Sequence, residues 1–297
     1  MEHGVGCPDA RLRLRPMRNS ALAAAAGLLL ATGLSACGVA KTTTVADTGC
    51  QPGDVPTVTD GFLTIATDSP AYDPWFSDND PSNGKGFESA VAYAIAKQMG
   101  YDASKVKWVK ESFNNSYTPG KKDFDFDLNQ ISITPDRAKV VDFSTGYYST
   151  TQAVVALKGS AAASDSTLAG LKDLKLGAQT ATTSLTAIRN DVKPTQTPMV
   201  YGTNDAAVQG LKNKQIDGLV VDLPTAFYLQ AVELENSVIV GQFVPSGDAE
   251  EFGALLQKDS PLTKCVSDAV DALKTSGELA NIENEWLSTE VKVPFLK

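Results

Sequence analysis

The stretch Ser132-Ile133-Thr134-Pro135-Asp136-Arg137 places a hydroxyl, a helix start and a guanidinium within six residues. It follows a run from Phe124 to Ile131 that alternates acidic and apolar residues and reads as a strand. Thr134 reads as an N-cap. Pro135 then occupies the first helical position, where its missing N–H costs nothing. A strand-to-helix corner of this kind has free backbone N–H groups beside a hydroxyl and an arginine. Its natural guest is a carboxylate, which Arg137 can hold bidentately and which the helix N-terminus favours electrostatically. The competing reading is a plain cap with a solvated arginine.

Three other stretches offer complementary groups. Phe62 to Ala66 reads as a strand and runs into Thr67-Asp68-Ser69-Pro70-Ala71-Tyr72-Asp73-Pro74-Trp75-Phe76. Its two prolines make this a loop at a strand's C-terminal end, where open α/β sheets bind ligands. Asp68 supplies a carboxylate there, and Tyr72 and Trp75 supply flat faces. Thr182-Thr183-Ser184 opens a second helix with a cap and free N–H groups. Gln215 to Pro224 reads as a buried strand ending in an acid, Asp222, a poor place to leave a charge unpaired. Asp222 also reads as a helix cap before Pro224.

These pieces resemble, in order, the family 3 extracellular solute-binding proteins, which serve polar amino-acid ABC transporters. The segment SITPDRAKVVDFSTGYY is similar to the family's S/T-I-T-x-x-R-A-x-x-V-D-F-S-x-P-Y-Y, with Gly146 in place of the usual Pro. The resemblance covers roughly residues 61–287. It implies that Ser132, Arg137 and Thr183, with Thr182 beside it, hold a ligand's α-carboxylate, and that Asp222 takes the α-ammonium. It further implies that Tyr72 or Trp75 covers the ligand side chain and that Asp68 reaches its far end. One stretch departs from the family's S-G-K-Y-D-V-I-I-A-G-M-S-I-T. Here the chain has Phe113-Asn114-Asn115 and, later, Asn129-Gln130 where Ala-Gly is common. Phe113 and Gln130 join the expected ligand-binding set on that account. Two amides there would narrow the pocket or bond the ligand, which points weakly to a polar side chain.

The fold that the resemblance implies is α/β: a two-lobed type II periplasmic-binding-protein fold. Each lobe is a mixed sheet flanked by helices, and two crossover strands form the hinge. The expected divisions are 1–36 as an export signal, 37–60 as a flexible tether, 61–151 plus 246–297 as lobe 1, and 152–245 as lobe 2. Supporting elements are legible. Phe87, Val91, Ile95 and Met99 fall at i+4 spacing in an amphipathic helix closed by Gly100. Pro261 to Leu287 reads as a terminal helix pair.

Compartment follows from the N-terminus. Arg18 precedes the short apolar run from Ala21 to Gly33, too short to span a bilayer as a stable helix. Leu34-Ser35-Ala36-Cys37 then resembles a bacterial lipobox, which predicts cleavage before Cys37 and lipid on its thiol. An ordinary secretory signal is the alternative. Met17 sits where such a signal begins, which makes residues 1–16 a candidate over-extended start. Cleavage removes four Arg and two acids, shifting the net charge from −9 to −11, and removes the single histidine, His3. Such a chain has no imidazole base, no His metal ligand and no Ser-His or Cys-His pair. Its acidity disfavours nucleic acid or an anionic membrane surface as partner. Cys50 and Cys265 are then the remaining pair, and an oxidising compartment predicts a disulfide between them; two separate thiols are the alternative.

The expectation is therefore a monomeric lipoprotein, touching the membrane only through its anchor. It captures a polar amino acid and delivers it to an ABC permease and its ATPase, with no cofactor and no metal. Asp78 to Gly84 looks calcium-like, but its Gly falls one place late for an EF-hand and position twelve is Ser89. The rival readings are a ligand-sensing lipoprotein for a surface receptor and an enzyme on the same fold, of dehydratase or lytic-transglycosylase type. The enzyme needs a cleft general acid, for which Glu88 and Glu111 are the candidates.

Overall fold

The computed structural model describes residues 49–245, 249–287 and 293–297. The export segment and Cys37 lie outside the described residues. No described helix is long and apolar enough to cross a membrane.

Two five-stranded mixed sheets form the architecture. The first contains β1 (Leu63–Thr67), β2 (Val106–Lys110), β3 (Phe126–Asp127), β4 (Val141–Phe143) and β12 (Leu255–Gln257), in the order β2-β1-β3-β12-β4. Strand β1 pairs parallel with β2 and β3, and β12 runs antiparallel to β3 and β4. The helix Phe87–Gln98 covers this sheet, with Phe87, Val91 and Ile95 fully buried. It packs against the terminal helices Thr263–Ser276 and Glu278–Trp286.

The second sheet has the order β10-β6-β9-β7-β8, from β6 (Gln152–Leu157), β7 (Leu176–Gln179), β8 (Met199–Tyr201), β9 (Gly218–Asp222) and β10 (Ser237–Gln242). Its central strands are apolar on both faces because clusters of buried side chains lie on either side. Val154 and Val220 point into one cluster, and Val155 and Leu219 into the other. Between the sheets the chain crosses twice. The crossings pair with each other as β5 (Tyr148–Thr150) and β11 (Glu250–Phe252), antiparallel. This is the two-lobed α/β architecture with two crossover strands.

Three details depart from the sequence reading. The strand expected over Phe124 to Ile131 pairs regularly only at Phe126–Asp127, because Gln130 turns to φ +48° and leaves the extended conformation. Residues 49–60, expected to belong to a flexible tether, are packed against the first lobe. Val58 N–H donates to Asp125 Oδ1 at 2.8 Å, and Cys50 is disulfide-bonded to Cys265 with Cα atoms 5.5 Å apart. The last residues, placed by the sequence reading in lobe 1, instead join the second sheet. Leu296 N–H donates to Gln242 O at 2.8 Å, and Leu296 is buried among Val240 and Phe243. The space it fills exists because residue 241 is glycine: a Cβ there would meet Leu296 Cδ2 at 2.7 Å.

The Cys50–Cys265 bridge closes a loop across 215 positions. Opening it with Cys50→Ser plus Cys265→Ser should cost about 2–5 kcal/mol, the usual range for a native bridge. Urea unfolding of the double variant, beside the oxidised chain, measures this directly. An unchanged midpoint would mean that the arm holds by packing alone.

Candidate functional site

The carboxylate corner forms as its residue types dictate. Thr134 caps the single turn Pro135–Ala138, its Oγ1 accepting from Arg137 N–H at 3.2 Å. This fixes the backbone of Arg137, whose side chain is nearly buried. One guanidinium N–H donates to Ser132 O at 2.8 Å, and another crosses between the lobes to Ala181 O at 2.9 Å. The aromatic rings of Phe113 and Tyr117 lie 5.3 and 5.1 Å from the guanidinium carbon. Such contacts hold the group flat while leaving the rest of its five N–H donors for a guest.

The second lobe answers with Thr182, Thr183 and Gln152. Thr182 caps the helix Thr183–Ala187, accepting from Leu185 N–H at 3.1 Å and donating to Gln179 O at 2.8 Å. Its hydroxyl is thereby spent on the turn. Thr183 Oγ1 lies 3.4 Å from Ser132 Oγ, so hydroxyls from the two lobes meet. Gln152, the first residue of β6, is oriented by Ser184, whose Oγ donates to its Oε1 at 2.6 Å. Its amide nitrogen then faces Asp222 Oδ1 at 2.7 Å, Glu250 Oε2 at 3.0 Å and Thr183 Oγ1 at 3.2 Å. Glu250 Oε1 also accepts from Ser132 Oγ at 2.5 Å. Burial and, next, the neighbouring Glu250 carboxylate push the Asp222 carboxyl up, while the Gln152 amide and Arg137 pull it back.

Between these groups lies a cavity. Eight of the ten expected ligand residues line it: Asp68, Tyr72, Phe113, Gln130, Ser132, Thr182, Thr183 and Asp222. Asn129, Gln179 and Asn204 complete the wall. Asp68 accepts from Ser69 N–H at 2.6 Å and from Phe113 N–H at 3.1 Å. Asp205 faces Tyr72 across the cleft, and burial, followed by this carboxylate, raises the Tyr72 pKa. Arg137 stands behind the wall, facing a neighbouring pocket that shares Thr182 and Thr183.

Trp75 does not face the cavity. It is fully buried against Phe87, Tyr148 and Phe252, with ring centroids 5.7–5.9 Å away in edge-on packing. Hydrogen bonds from Phe87 N–H to Pro74 O and from Glu88 N–H to Trp75 O draw this turn down onto the helix. The indole N–H reaches the other lobe, donating to Thr225 Oγ1 at 3.2 Å. Of the two aromatics expected to cover a ligand, only Tyr72 is placed to do so.

Glu88 is not a cleft acid. It is fully buried, accepting from Gln130 N–H at 2.7 Å, from the Gln130 side-chain amide and from Tyr147 Oη. Its carboxylate holds Gln130 in the left-handed conformation, which a side chain adopts only when its surroundings impose it. Gln152 and Glu250 are functional neighbours that the sequence reading missed. Each sits at a crossing with no motif around it, and only strand pairing brings them together. Among the described residues no group of three or more His, Cys, Asp or Glu side chains could hold a metal ion.

Residues 63–289 match the family model of the bacterial extracellular solute-binding proteins, family 3. The chain belongs to that family. It is 30% identical to the arginine-binding extracellular protein ArtP of Bacillus subtilis, over 85% of this chain and 96% of that one. It is 29% identical to the glutamine-binding protein GlnH of the same organism, over 72% and 78%. A solved structure of an ancestral arginine-binding protein bound to arginine superposes with a TM-score of 0.62 at 29% identity, covering 76% of this chain and 98% of that one.

Burial lifts the Glu88 carboxyl from 4.5 to about 7, partly offset by its bonds from Tyr147 and Gln130. A group whose folded pKa is raised binds extra protons in the folded state between the unfolded and folded values. Its contribution to stability therefore falls as pH climbs from about 4.5 to about 7. Glu88→Gln should flatten that decline by up to about 3 kcal/mol. Urea denaturation at pH 5, 6, 7 and 8 reads the slope; parallel curves for the two proteins would contradict it.

Proposed function

We propose that this chain captures one polar α-amino acid between its lobes, that a positively charged side chain suits the cleft best, and that a lipid on Cys37 holds it at the outer face of the cell membrane. The chain is an extracytoplasmic amino-acid-binding protein of the ABC-transporter solute-binding family, a binding protein rather than an enzyme. Its ligand would pass to a permease driven by a dedicated ATPase.

One observation carries the ligand reading: groups from the two lobes that suit opposite charges gather at this cavity, with Ser132, Thr183 and Asp222 in its wall and Arg137 behind that wall, facing the neighbouring pocket that shares Thr182 and Thr183. Arg137, with the hydroxyls of Ser132 and Thr183, suits a carboxylate, and Asp222 at the end of β9 suits an ammonium. The guanidinium and the Asp222 carboxylate already feel each other electrostatically. A zwitterion satisfies both at once, and a ligand held from both lobes favours their closure by its differential affinity. The preference for a cationic side chain draws on Asp68 in the wall and on the arginine-binding relatives.

Thermal unfolding of the lipid-free chain from residue 38 onward, against the twenty amino acids, tests the reading. A ligand at 100 times its dissociation constant should add about 2.7 kcal/mol of stability. The shift should be largest for L-arginine or L-lysine and should vanish in Arg137→Ala. No shift with any amino acid would refute the ligand assignment. Labelled palmitate should be incorporated by cells expressing the full chain and not by the Cys37→Ser form; equal labelling would refute the anchor.

A further inference from the structure

The first lobe holds a carboxylate that its packing does not require. Asp127 is fully buried at the end of β3, and neither of its oxygens has a hydrogen-bond partner among the described residues. It pairs with Ala66 of β1 and Leu255 of β12, both fully buried and apolar, so its strand neighbours offer the carboxylate no hydrogen bond.

Four charged groups face it from the surrounding elements: Glu88 on the helix Phe87–Gln98, Glu111 after β2, Asp68 after β1, and Lys122 before β3. Only Lys122 is positive. Its ammonium is turned to the carbonyls of Thr118 at 2.6 Å and Asn115 at 3.4 Å, and no ion pair joins it to Asp127 among the described residues. Burial, reinforced by the three acids, raises the Asp127 carboxyl well above the usual range, so its proton-bearing form is favoured.

The position of Asp127 in the strand gives this cost a direction. Strands β1 and β3 are parallel and end together at the cleft. Two residues beyond Asp127, Asn129 lines the cavity, and its Nδ2 is likewise buried without a partner. Two residues beyond the paired Ala66, Asp68 lines the same wall. Asp127 therefore lies one layer beneath the end of the cavity that Asp68 borders, in an interior where charges are weakly screened.

We propose that Asp127 is a buried specificity residue: with Asp68 it makes this end of the cleft favour a guanidinium or ammonium over a neutral amide of similar length. The assignment rests on the amino-acid-binding reading of the cavity. In the free protein the carboxyl keeps its proton. A cation arriving beside Asp68 stabilises the carboxylate, the O–H bond of Asp127 breaks, and the proton passes to the solvent buffer. Binding of a cationic ligand thus releases this proton in addition to the one an α-ammonium draws from Asp222, whose carboxyl is also raised, and binding of a neutral one releases only the latter.

Calorimetric titration of the lipid-free chain with L-arginine and with L-glutamine, at pH 7 in phosphate and in Tris, provides the test. The proteins are the wild type, Asp127→Asn and Asp127→Leu; the last keeps the test open if a buried amide disturbs folding. The wild type should bind arginine more tightly, with a heat that differs between the two buffers by more than the glutamine heat does. Both variants should lower the arginine-to-glutamine affinity ratio by roughly fivefold or more, as expected for losing one interior charge interaction, and should bring the buffer dependence of the arginine heat down to that of glutamine. An unchanged ratio with unchanged heats, or a wild type that prefers glutamine, overturns the assignment. A wild type that binds neither amino acid overturns the underlying binding reading, and this assignment falls with it.

Discussion

A guanidinium buried at the junction of two lobes has to be satisfied from both, and much of the cleft follows from that constraint. Desolvating a cation costs several kcal/mol unless hydrogen bonds and opposite charge replace the lost water. Arg137 meets this by donating to Ser132 O in its own lobe and to Ala181 O in the other. Both carbonyls are available because each segment has just left its sheet: Ser132 follows β3 and Ala181 follows β7. Ala181 sits at φ +59°, and Gln130, two residues before Ser132, at φ +48°. Left-handed positions outside glycine persist only where their surroundings hold them. Here those surroundings are the Glu88 carboxylate in one lobe and the Arg137 guanidinium spanning both.

Gln152 is the counterpart of Arg137 on the acidic side. Its two N–H groups face three acceptors, two of them carboxylates, while Ser184 prevents the amide from turning over. So oversubscribed a donor does not balance both groups, and burial with the neighbouring Glu250 carboxylate favours the proton-bearing form of Asp222. The cleft is therefore asymmetric, with a guanidinium and hydroxyls near Ser132, where Glu250 also bonds, and carboxyl groups in the wall at Asp222 and Asp68. That asymmetry, more than any single side chain, supports a zwitterion with additional positive charge as the guest.

What the sequence made legible was whatever depends on neighbours close along the chain. The Thr134 cap, Pro135 at the first helical position and the Thr182 cap are each decided within four residues, and all three form. The two-sheet architecture followed from a resemblance spread over many such local pieces. For Trp75 the sequence does not decide, because an aromatic beside two prolines looks the same whether it faces a ligand or the core; hydrogen bonds to the helix beginning at Phe87, twelve residues later, place it in the core. Glu250 and Gln152 lie almost a hundred residues apart and meet only through the pairing of β5 with β11. The C-terminal Leu296 finds its place through a missing side chain at Gly241, a complementarity that no periodicity announces.

The contacts that hold the lobes together are themselves modest. Apart from Arg137 to Ala181, they include Trp75 to Thr225 and Asn114 to Gly202. Neutral bonds of this kind contribute about 0.5–1.5 kcal/mol each after the exchange with water is counted. Against them stand the carboxylates that closure brings out of water around Gln152, and the inward-facing amides left unpaired, such as Asn129. On the proposed function, in which the lobes close on a ligand, the balance between open and closed forms is a small difference, of the size a ligand can reverse by touching both lobes. A stronger interface would close without cargo, and a weaker one would not hold the two halves of the carboxylate site in register. The sparse polar seam and the unsatisfied groups at its centre are thus two aspects of one requirement: closure has to depend on what is bound.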